Sequence, residues 1–212
     1  MRRRAMLLAL ARVAPVRPRP HAEHLGSEYG GWTVPTDLIE SSWVCLCAGA
    51  GIDVTFDLAL AERFGATVIT IDPTDEAREH VARADAEGRL RFVHAALWSG
   101  DGELEMFVAA DPAHRTLSSD DLQRTGRSLT VPARGLATFG RIDLLKLDIE
   151  GAEYEVLPHL PSDVRVLCVE MHPTRGIRAA TRAFRRLRGA GFALVARRGA
   201  DFTFVRVTPP TQ

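Results

Sequence analysis

Short apolar segments that end in a glycine or an acid alternate along this chain with segments of helical pattern. "WVCLCAG" is followed by "DVTFDLALAERFG", and "TVITID" is followed by "TDEAREHVARADAEG". "IDLLKLDI" and "RVLCVEMH" repeat the arrangement before a closing hairpin of "FALVARR" and "DFTFVRV". Strands that alternate with helices predict a mostly parallel α/β sheet covered on both faces, to which the hairpin adds an antiparallel edge. Because ligands bind such sheets beyond the carboxyl ends of the strands, the residues there are the candidate site.

The length of the chain and its N-terminal pattern limit its organisation. Its 212 residues predict a single domain over residues 27–208, after an N-terminal arm over 1–26 and before a tail over 209–212. No apolar run reaches the roughly 20 residues that a membrane-spanning helix needs. Arg12 interrupts the apolar stretch of "MRRRAMLLALARVAP", which therefore predicts an arm or short helix rather than a signal peptide.

Charge and cysteine usage restrict the partners and the compartment. Basic and acidic residues balance at 27 each, which argues against a nucleic-acid partner. The arginine-rich helix over residues 175–188 carries an apolar stripe of Ile177, Phe184 and Leu187, so its arginines are typical of a solvated face. Three cysteines without zinc-type spacing favour buried thiols and a cytoplasmic setting. The oligomeric state stays open, with a dimer as one option.

The first two strand ends carry a glycine turn and an acid. Gly49 and Gly51 allow a tight turn that approaches a ligand closely, and the helix that follows presents free amide groups. A dinucleotide fingerprint would place a third glycine where Val54 stands, and the neighbouring Asp53 suits a ligand with a cationic group. Asp72 closes the second strand at the distance where a carboxylate binds ribose hydroxyls, or it caps the next helix. Together these features indicate a nucleoside-type cofactor.

The strands "IDLLKLDI" and "RVLCVEMH" end in further charged residues. Lys146, the only lysine of the chain, shares a strand face with Asp148, so we expect an ion pair between them, and Glu150 follows at the ligand-facing end. Glu170 and His172 share a face at the end of the next strand. Lys146 is either a buried structural residue or a catalytic group. Glu170 and His172 are either an acid/base pair, metal ligands or structural residues.

Several of these segments together resemble the FkbM-type methyltransferases, which depend on S-adenosylmethionine. "IDLLKLDIEGAEYEVL" is similar to the signature of that family, and "CAGAGIDVTFDLAL", "VITIDPT", "VEMH" and "DFTFVRV" support the resemblance in the expected order. The resemblance runs from about Tyr29 to Val207. It implies a Rossmann-like three-layer sandwich whose mostly parallel sheet has seven strands, the last of them antiparallel. It also implies methyl transfer, most often to an oxygen.

The resemblance further implies the cofactor-binding residues. The glycines Gly49 and Gly51 would pass under S-adenosylmethionine, Asp72 would hold its ribose, and Asp148 would lie near its methionine moiety. The remaining residues that the resemblance places around the cofactor are Ala95 and Ala96 near the adenine, and Tyr29 and Trp32 on the N-terminal side. This chain departs from the family where many members have an aspartate in place of Cys47 and a glycine in place of Asp53. Binding of the cofactor amino group then falls to Asp53 or to backbone carbonyls.

A hydroxyl acceptor must also lose its proton. We expect His172 to be the base because imidazole titrates near neutral pH, with Asp148 and Glu150 orienting the acceptor and Lys146 as a further candidate. A divalent metal bound by Asp148, Glu170 and His172 is the alternative. The expected function is O-methylation of a hydroxyl on a small molecule or sugar. The alternatives are a catalytically inactive cofactor-binding partner protein and, disfavoured by the missing glycine, a nicotinamide dehydrogenase.

Overall fold

A computed structural model describes residues 2–108, 117–119 and 126–207 of the chain. Most of the polar stretch 111–126, which the sequence predicts as a loop and possible lid, and the tail 209–212 lie outside these residues. The strands of the described residues are Ala22–Leu25 (β1), Trp32–Pro35 (β2), Val44–Ala48 (β3), Thr67–Asp72 (β4), Leu90–His94 (β5), Ala96–Trp98 (β6), Gly102–Val108 (β7), Leu117–Ser118 (β8), Ser128–Gly135 (β9), Leu144–Leu147 (β10), Val166–Glu170 (β11), Phe192–Arg198 (β12) and Asp201–Arg206 (β13). The helices are Arg2–Val13 (α1), Thr55–Phe64 (α2), Asp75–Ala84 (α3), Glu153–Val156 (α4) and Gly176–Gly189 (α5).

A seven-stranded sheet forms the centre of the protein. Its strand order is β12-β13-β11-β10-β3-β4-β5, and β13 is antiparallel to both of its neighbours while the other pairs are parallel. The predicted seven-stranded, mostly parallel sheet with an antiparallel last strand is therefore confirmed. The hairpin lies at the sheet edge as expected, but its second strand is inserted between β12 and β11. Because β3, β4, β10 and β11 are parallel, their carboxyl ends lie at the same rim of the sheet.

Helices α2 and α3 begin and end where local chemistry predicts. Helix α2 stops at Gly65, whose φ of 66° is the left-handed conformation that glycine adopts without strain. Thr74 caps α3 by accepting a hydrogen bond from the backbone nitrogen of Ala77 at 3.2 Å. The predicted apolar stripe faces the core, with Val54 buried and Leu58, Ala61 and Phe64 partly buried against it. The fully buried residues inside the helix are Phe56, Asp57 and Leu60. An acid thus faces the core.

A second sheet of order β6-β9-β7-β8 stands beside the cleft end of the main sheet. We expected β9 to be a short edge strand, because Pro132 cannot donate a ladder hydrogen bond. That prediction is wrong: β9 has eight residues and lies between β6 and β7. Pro132 pairs with Glu103 of β7, but the pairing with β6 begins only at Ala133. Pro132 therefore lies one residue before the part of β9 that pairs with β6.

The N-terminal residues add elements that the sequence indicated only in part. Helix α1 packs against α5 and buries Met6 and Leu10 completely in the same hydrophobic cluster as Phe184. Strands β1 and β2 form an antiparallel pair around the glycine-centred segment that we expected to be a loop. The longest helix, α5, has 14 residues, and no helix of the described residues is both long and apolar enough to cross a bilayer.

Candidate active site

The strand ends open into a cleft of about 600 Å³. Its walls come from the ends of β3, β4, β10 and β11, the turn between β12 and β13, and the second sheet. The acidic residues that line it are Glu28, Asp53, Asp72, Glu76, Asp148, Glu150, Glu170 and Asp201. The basic residues among the described lining are Lys146 and Arg198. A cleft of this size holds a ligand of nucleoside dimensions, and its excess of carboxylates favours a ligand that carries positive charge.

The glycine turn after β3 lies against the end of β10. Gly49 has a φ of 84°, and a Cβ atom there would lie 1.7 Å from the carbonyl oxygen of Asp148. Only glycine can occupy this position, since the clash is with backbone. Gly51 also has a positive φ of 50°, but a Cβ there would meet nothing within 4 Å. Glycine is thus required at position 49 because two chain segments cross there. At Gly51 the absence of a side chain leaves open space that is part of the cleft.

Asp72 connects the glycine turn to the end of β4. Its Oδ2 accepts hydrogen bonds from the backbone nitrogens of Ala50 and Gly51 at 2.9 and 3.1 Å. Its Oδ1 accepts from the backbone nitrogen and the hydroxyl of Thr74 at 2.8 and 2.6 Å. A carboxylate offers about four acceptor positions, so the protein already uses all of them. A ligand hydroxyl that bonds to Asp72 has to share one of these positions.

Asp53 joins the N-terminal loop 27–31 to the start of α2. Its Oδ2 accepts a hydrogen bond from the hydroxyl of Ser27 at 2.5 Å, and its Oδ1 accepts from the backbone nitrogen and hydroxyl of Thr55 at 2.9 and 2.6 Å. Partial burial acts to raise the pKa of Asp53, but these hydrogen bonds outweigh it and hold the pKa below its usual value. Asp53 lines the cleft with both oxygens bonded to the protein.

Lys146 lies under the glycine turn. Its Nζ donates a hydrogen bond to the carbonyl oxygen of Gly49, and the residue is 3% exposed. Burial acts to lower the pKa of Lys146, but the charges of Asp57 and Asp148 outweigh it and raise the pKa above its usual value. The ion pair expected between Lys146 and Asp148 is absent from the described contacts. Lys146 is thus an ammonium group that holds the turn.

Asp57 of α2 is the residue of this buried group that sequence reasoning missed. It is 1% exposed, its Oδ2 accepts from the hydroxyl of Thr70 at 2.7 Å, and its Oδ1 has no hydrogen-bond partner among the described residues. Burial raises the pKa of Asp57, and the charge of Lys146 opposes that rise. The sequence feature that could have identified Asp57 is the presence of an acid within the apolar helix that follows the glycine turn. Asp57 lies three residues after Val54 and four before Ala61, so it shares the face of the predicted apolar stripe.

Asp148, Glu170 and His172 come together at the ends of β10 and β11. Each offers one oxygen or nitrogen atom, and these three atoms lie within 4.8 Å of one another. Burial, followed by the charge of Asp148, raises the pKa of Glu170 to about 8. Glu150 stands beside this group with a φ of 50°, a conformation that few residues other than glycine adopt. That backbone brings Glu150 Oε2 within 3.4 Å of His172 Nε2.

His172 lies behind the wall of the cleft rather than among its lining residues. Its Nδ1 is 2.8 Å from Oε1 of Glu153, which is fully buried, and its Nε2 is 3.8 Å from Glu170. Burial acts to lower the pKa of His172, but Glu153 and then Glu150 and Glu170 raise it to about 9. The pKa of His172 therefore lies above the near-neutral value of a free imidazole, and its role as the base stays a prediction.

The remaining predicted cofactor residues are divided between the cleft and the core. Tyr29 lines the rim and is 84% exposed, and Ala96 lines the cleft from β6. Trp32 and Ala95 are both buried and are not among the described residues that line the cleft. The rim also contains an ion pair between Glu28 and Arg198, which the sequence did not indicate. This pair joins the loop 27–31 to the end of β12.

Several solved structures are similar to this chain at low sequence identity. The chain is similar to the fibrillarin pre-rRNA processing protein of Methanococcus jannaschii, with 11% identity, a TM-score of 0.45, and 93% of this chain and 88% of that chain covered. It is also similar to a TehB-like SAM-dependent methyltransferase from Corynebacterium glutamicum, with 14% identity, a TM-score of 0.38, and 79% and 81% covered. For the N-terminal domain of EvdMO1 the identity is 15%, the TM-score 0.41, and 97% of each chain is covered.

Sequence comparison assigns the family. No curated protein matches the chain. The model of the methyltransferase FkbM domain matches residues 47–194, which is more than half of the chain and extends from the end of β3 into β12. This match contains the glycine turn, Asp72, the strand of Lys146 and the group around His172. The chain therefore belongs to the family of FkbM methyltransferase domains.

Proposed function

We propose that this protein transfers a methyl group from S-adenosylmethionine to a hydroxyl of a small molecule or a sugar. The observation that carries the proposal is the meeting of Gly51, Asp72 and Asp148 in one acid-lined cleft. We further infer that residues 27–208 act as one methyltransferase domain. A cytoplasmic setting is supported by the three cysteines, which are all buried as free thiols.

The residues of the cleft fit S-adenosylmethionine by charge and by shape. The cofactor carries a sulfonium and an ammonium group, and the described residues of the cleft include eight acidic and two basic side chains. Gly51 leaves space above the backbone where a flat ligand can approach. Asp72, through a shared acceptor position, is our candidate for the ribose, and Asp148 is our candidate for the methionine moiety. When it is bound, S-adenosylmethionine supplies a methyl group activated for in-line displacement.

The group around His172 suits removal of the acceptor proton. Glu153 fixes the ring through Nδ1, so that Nε2 points toward Glu150 and Glu170 of the cleft wall. These carboxyl groups raise the pKa of His172 to about 9, so the neutral imidazole that can accept a proton at Nε2 becomes more abundant as pH rises, and methyl transfer through this base should increase with it. Asp148 and Glu150 then orient the acceptor hydroxyl. Lys146 is not a base in this proposal because its ammonium group is bonded to Gly49.

A metal-assisted form of the proposal uses Asp148, Glu170 and His172 as ligands. Two carboxylates and an imidazole are a donor set for a divalent ion, and the contact between Glu153 and Nδ1 is the kind that orients a ligating histidine. A bound ion there would lower the pKa of the acceptor hydroxyl. Methyl transfer that stops on chelation and returns with magnesium or manganese would assign this form.

The cofactor proposal is tested with two glycine-to-alanine variants, one at a glycine inside the cleft and one at a comparable glycine outside it. Gly51 and Gly88 both have positive φ, of 50° and 66°, and a Cβ atom at either meets nothing within 4 Å. Gly51 lines the cleft, whereas Gly88 lies after α3 and away from it. Isothermal titration with S-adenosylmethionine and S-adenosylhomocysteine should show binding to the wild type. We expect Gly51→Ala to weaken it about tenfold or more, because close backbone approach is lost.

Gly88→Ala carries a similar backbone strain and should bind as the wild type does. Equal weakening in both variants would mean that strain, and not the cleft, is responsible. Absence of binding to the folded wild type at millimolar cofactor would end the proposal. Once binding is established, a product assay against hydroxyl compounds separates an enzyme from an inactive cofactor-binding partner.

A further inference from the structure

The charges of this protein are strongly separated along the chain. Residues 2–19 contain six arginines and no acid, and residues 173–200 contain eight arginines and no acid. These two segments hold fourteen of the 27 basic residues, while all 27 acidic residues lie elsewhere. A net charge of zero therefore conceals one strongly positive region and a negative remainder that includes the cleft.

The two positive segments meet on one side of the fold. Helices α1 and α5 lie side by side, and Arg188 of α5 donates a hydrogen bond to the carbonyl oxygen of Val13 at 2.7 Å. Helix α1 also contacts the turn Pro173–Arg175 that precedes α5. Because that turn follows β11, the same helices reach from the cleft end of the sheet toward its opposite end.

The arginines on this side point to solvent. Six arginines of α1 and α5 are exposed and form neither an ion pair nor a side-chain hydrogen bond with the described residues; this set, called here the arginine face, is Arg4, Arg12, Arg178, Arg182, Arg185 and Arg186. Each helix buries its opposite side, Met6 and Leu10 in α1 and Phe184 in α5. Among the described residues nothing pairs with these guanidinium groups, so they are available to an external anionic partner.

Exposed aliphatic side chains accompany the arginine face. Leu8 lies one helical turn from both Arg4 and Arg12 and is 61% exposed. Val16, just after α1, and Ile177, at the start of α5, are 42% and 40% exposed. Ile177 was expected to be in the buried stripe of α5. An exposed leucine between two arginines of α1 matches the boundary between lipid headgroups and acyl chains.

We propose that the arginine face docks on an anionic lipid bilayer, with Leu8 entering the headgroup region. RNA is the weaker fit, because recognition of single-stranded RNA uses exposed aromatic side chains for stacking. The aromatic residue in these two helices, Phe184, is fully buried. Docking does not depend on methyl transfer, so either proposal can fail without the other.

The test is sedimentation of the full chain with phospholipid vesicles. We expect binding to phosphatidylcholine vesicles that contain about 30% phosphatidylserine, none to pure phosphatidylcholine, and release when salt rises from about 0.1 to about 0.5 M. The triple variant Arg178→Gln, Arg182→Gln, Arg186→Gln should lower the partition coefficient about a hundredfold, at about fivefold for each arginine near the surface. Leu8→Gln should lower it further.

A matched triple variant removes the same charge elsewhere. Arg78, Arg83 and Arg91 are exposed on α3 and β5, and their change to Gln should alter the partition less than about twofold. Circular dichroism and the thermal midpoint confirm that each variant is folded. Equal losses in the two triples, or binding without preference for anionic lipid, would overturn the proposal. So would displacement from the vesicles by a short single-stranded RNA, which would make the face a nucleic-acid surface.

Discussion

At the scale of single residues, the buried pair of Lys146 and Asp57 is the most consequential feature. Both side chains are nearly inaccessible, and each shifts the pKa of the other toward its charged form. A buried charge that loses its partner is costly, because its desolvation is no longer offset. Lys146 also bonds to Gly49, so the pair supports the turn at the cleft floor.

We therefore predict that Lys146→Met lowers the free energy of unfolding by about 3–5 kcal/mol. Asp57→Asn keeps its hydrogen bond to Thr70 and should partly compensate in the double variant, which should be more stable than the sum of the single effects. Urea denaturation of the four proteins measures this coupling. Additive losses would contradict it. A Lys146→Met protein of unchanged stability that has lost only turnover would instead make Lys146 a catalytic group.

At the scale of elements, the loop 27–31 is attached to α2 through few contacts. Ser27 bonds to Asp53, and the backbone nitrogen of Gly30 donates to the Ser27 hydroxyl at 2.9 Å. A Cβ atom on Gly30 would lie 2.7 Å from Asp53 Cγ, so the loop approaches the start of α2 closely. Because Glu28, Tyr29 and Gly30 line the cleft, the position of this loop determines the cleft's N-terminal wall.

If Asp53 affects cofactor binding only by holding the loop 27–31 in place, Ser27→Ala and Asp53→Asn should weaken S-adenosylhomocysteine binding by a similar factor. We expect about tenfold, the effect of one charge-assisted hydrogen bond. Hydrogen exchange at the loop amides should rise in both variants. Ser42→Ala, at an exposed serine that bonds to Glu40, is the control and should change neither measurement. A much larger effect of Asp53→Asn than of Ser27→Ala would mean that Asp53 contacts the cofactor directly.

At the scale of the whole molecule, the group around His172 links stability to pH. The pKa of His172 is raised from 6.5 to about 9, and that of Glu170 is raised from 4.5 to about 8. Both groups bind protons more tightly in the folded state than in the unfolded state. Their stabilising contributions are therefore complete below the unfolded values and are lost as pH rises through the folded ones. The protein should lose stability between about pH 5 and pH 9.

Glu170→Gln isolates this effect because glutamine resembles the protonated carboxyl group. Its thermal midpoint should be close to that of the wild type near pH 6 and higher than the wild type near pH 9, measured with a chelator present. Glu103→Gln, at an exposed acid of β7, should leave the pH profile unchanged. A Glu170→Gln profile parallel to that of the wild type would contradict the raised pKa of Glu170.

The sequence by itself determined the order of the elements and the edge at which the site lies. Apolar runs of strand length and amphipathic helical segments are local patterns, and a parallel sheet brings the carboxyl ends of its strands to one rim. Gly49, Asp72 and Asp148 could therefore be placed together before any coordinates, and the motif around Lys146 indicated the family. The pattern did not reveal the β1–β2 pair, because a glycine-centred segment hides two short strands.

Only the tertiary structure decided which neighbours each side chain has. Lys146 bonds to Gly49, and its pKa is raised first by the charge of Asp57, 89 positions earlier in the chain, and then by that of Asp148 on its own strand. The pKa of His172 is raised because Glu150, Glu153 and Glu170 converge on it, and β9 lies inside its sheet despite Pro132. The hydrophobic periodicity of a segment indicates which of its residues face the core. Desolvation, charge and strand pairing depend on segments that are distant in sequence and become neighbours only when the chain has folded.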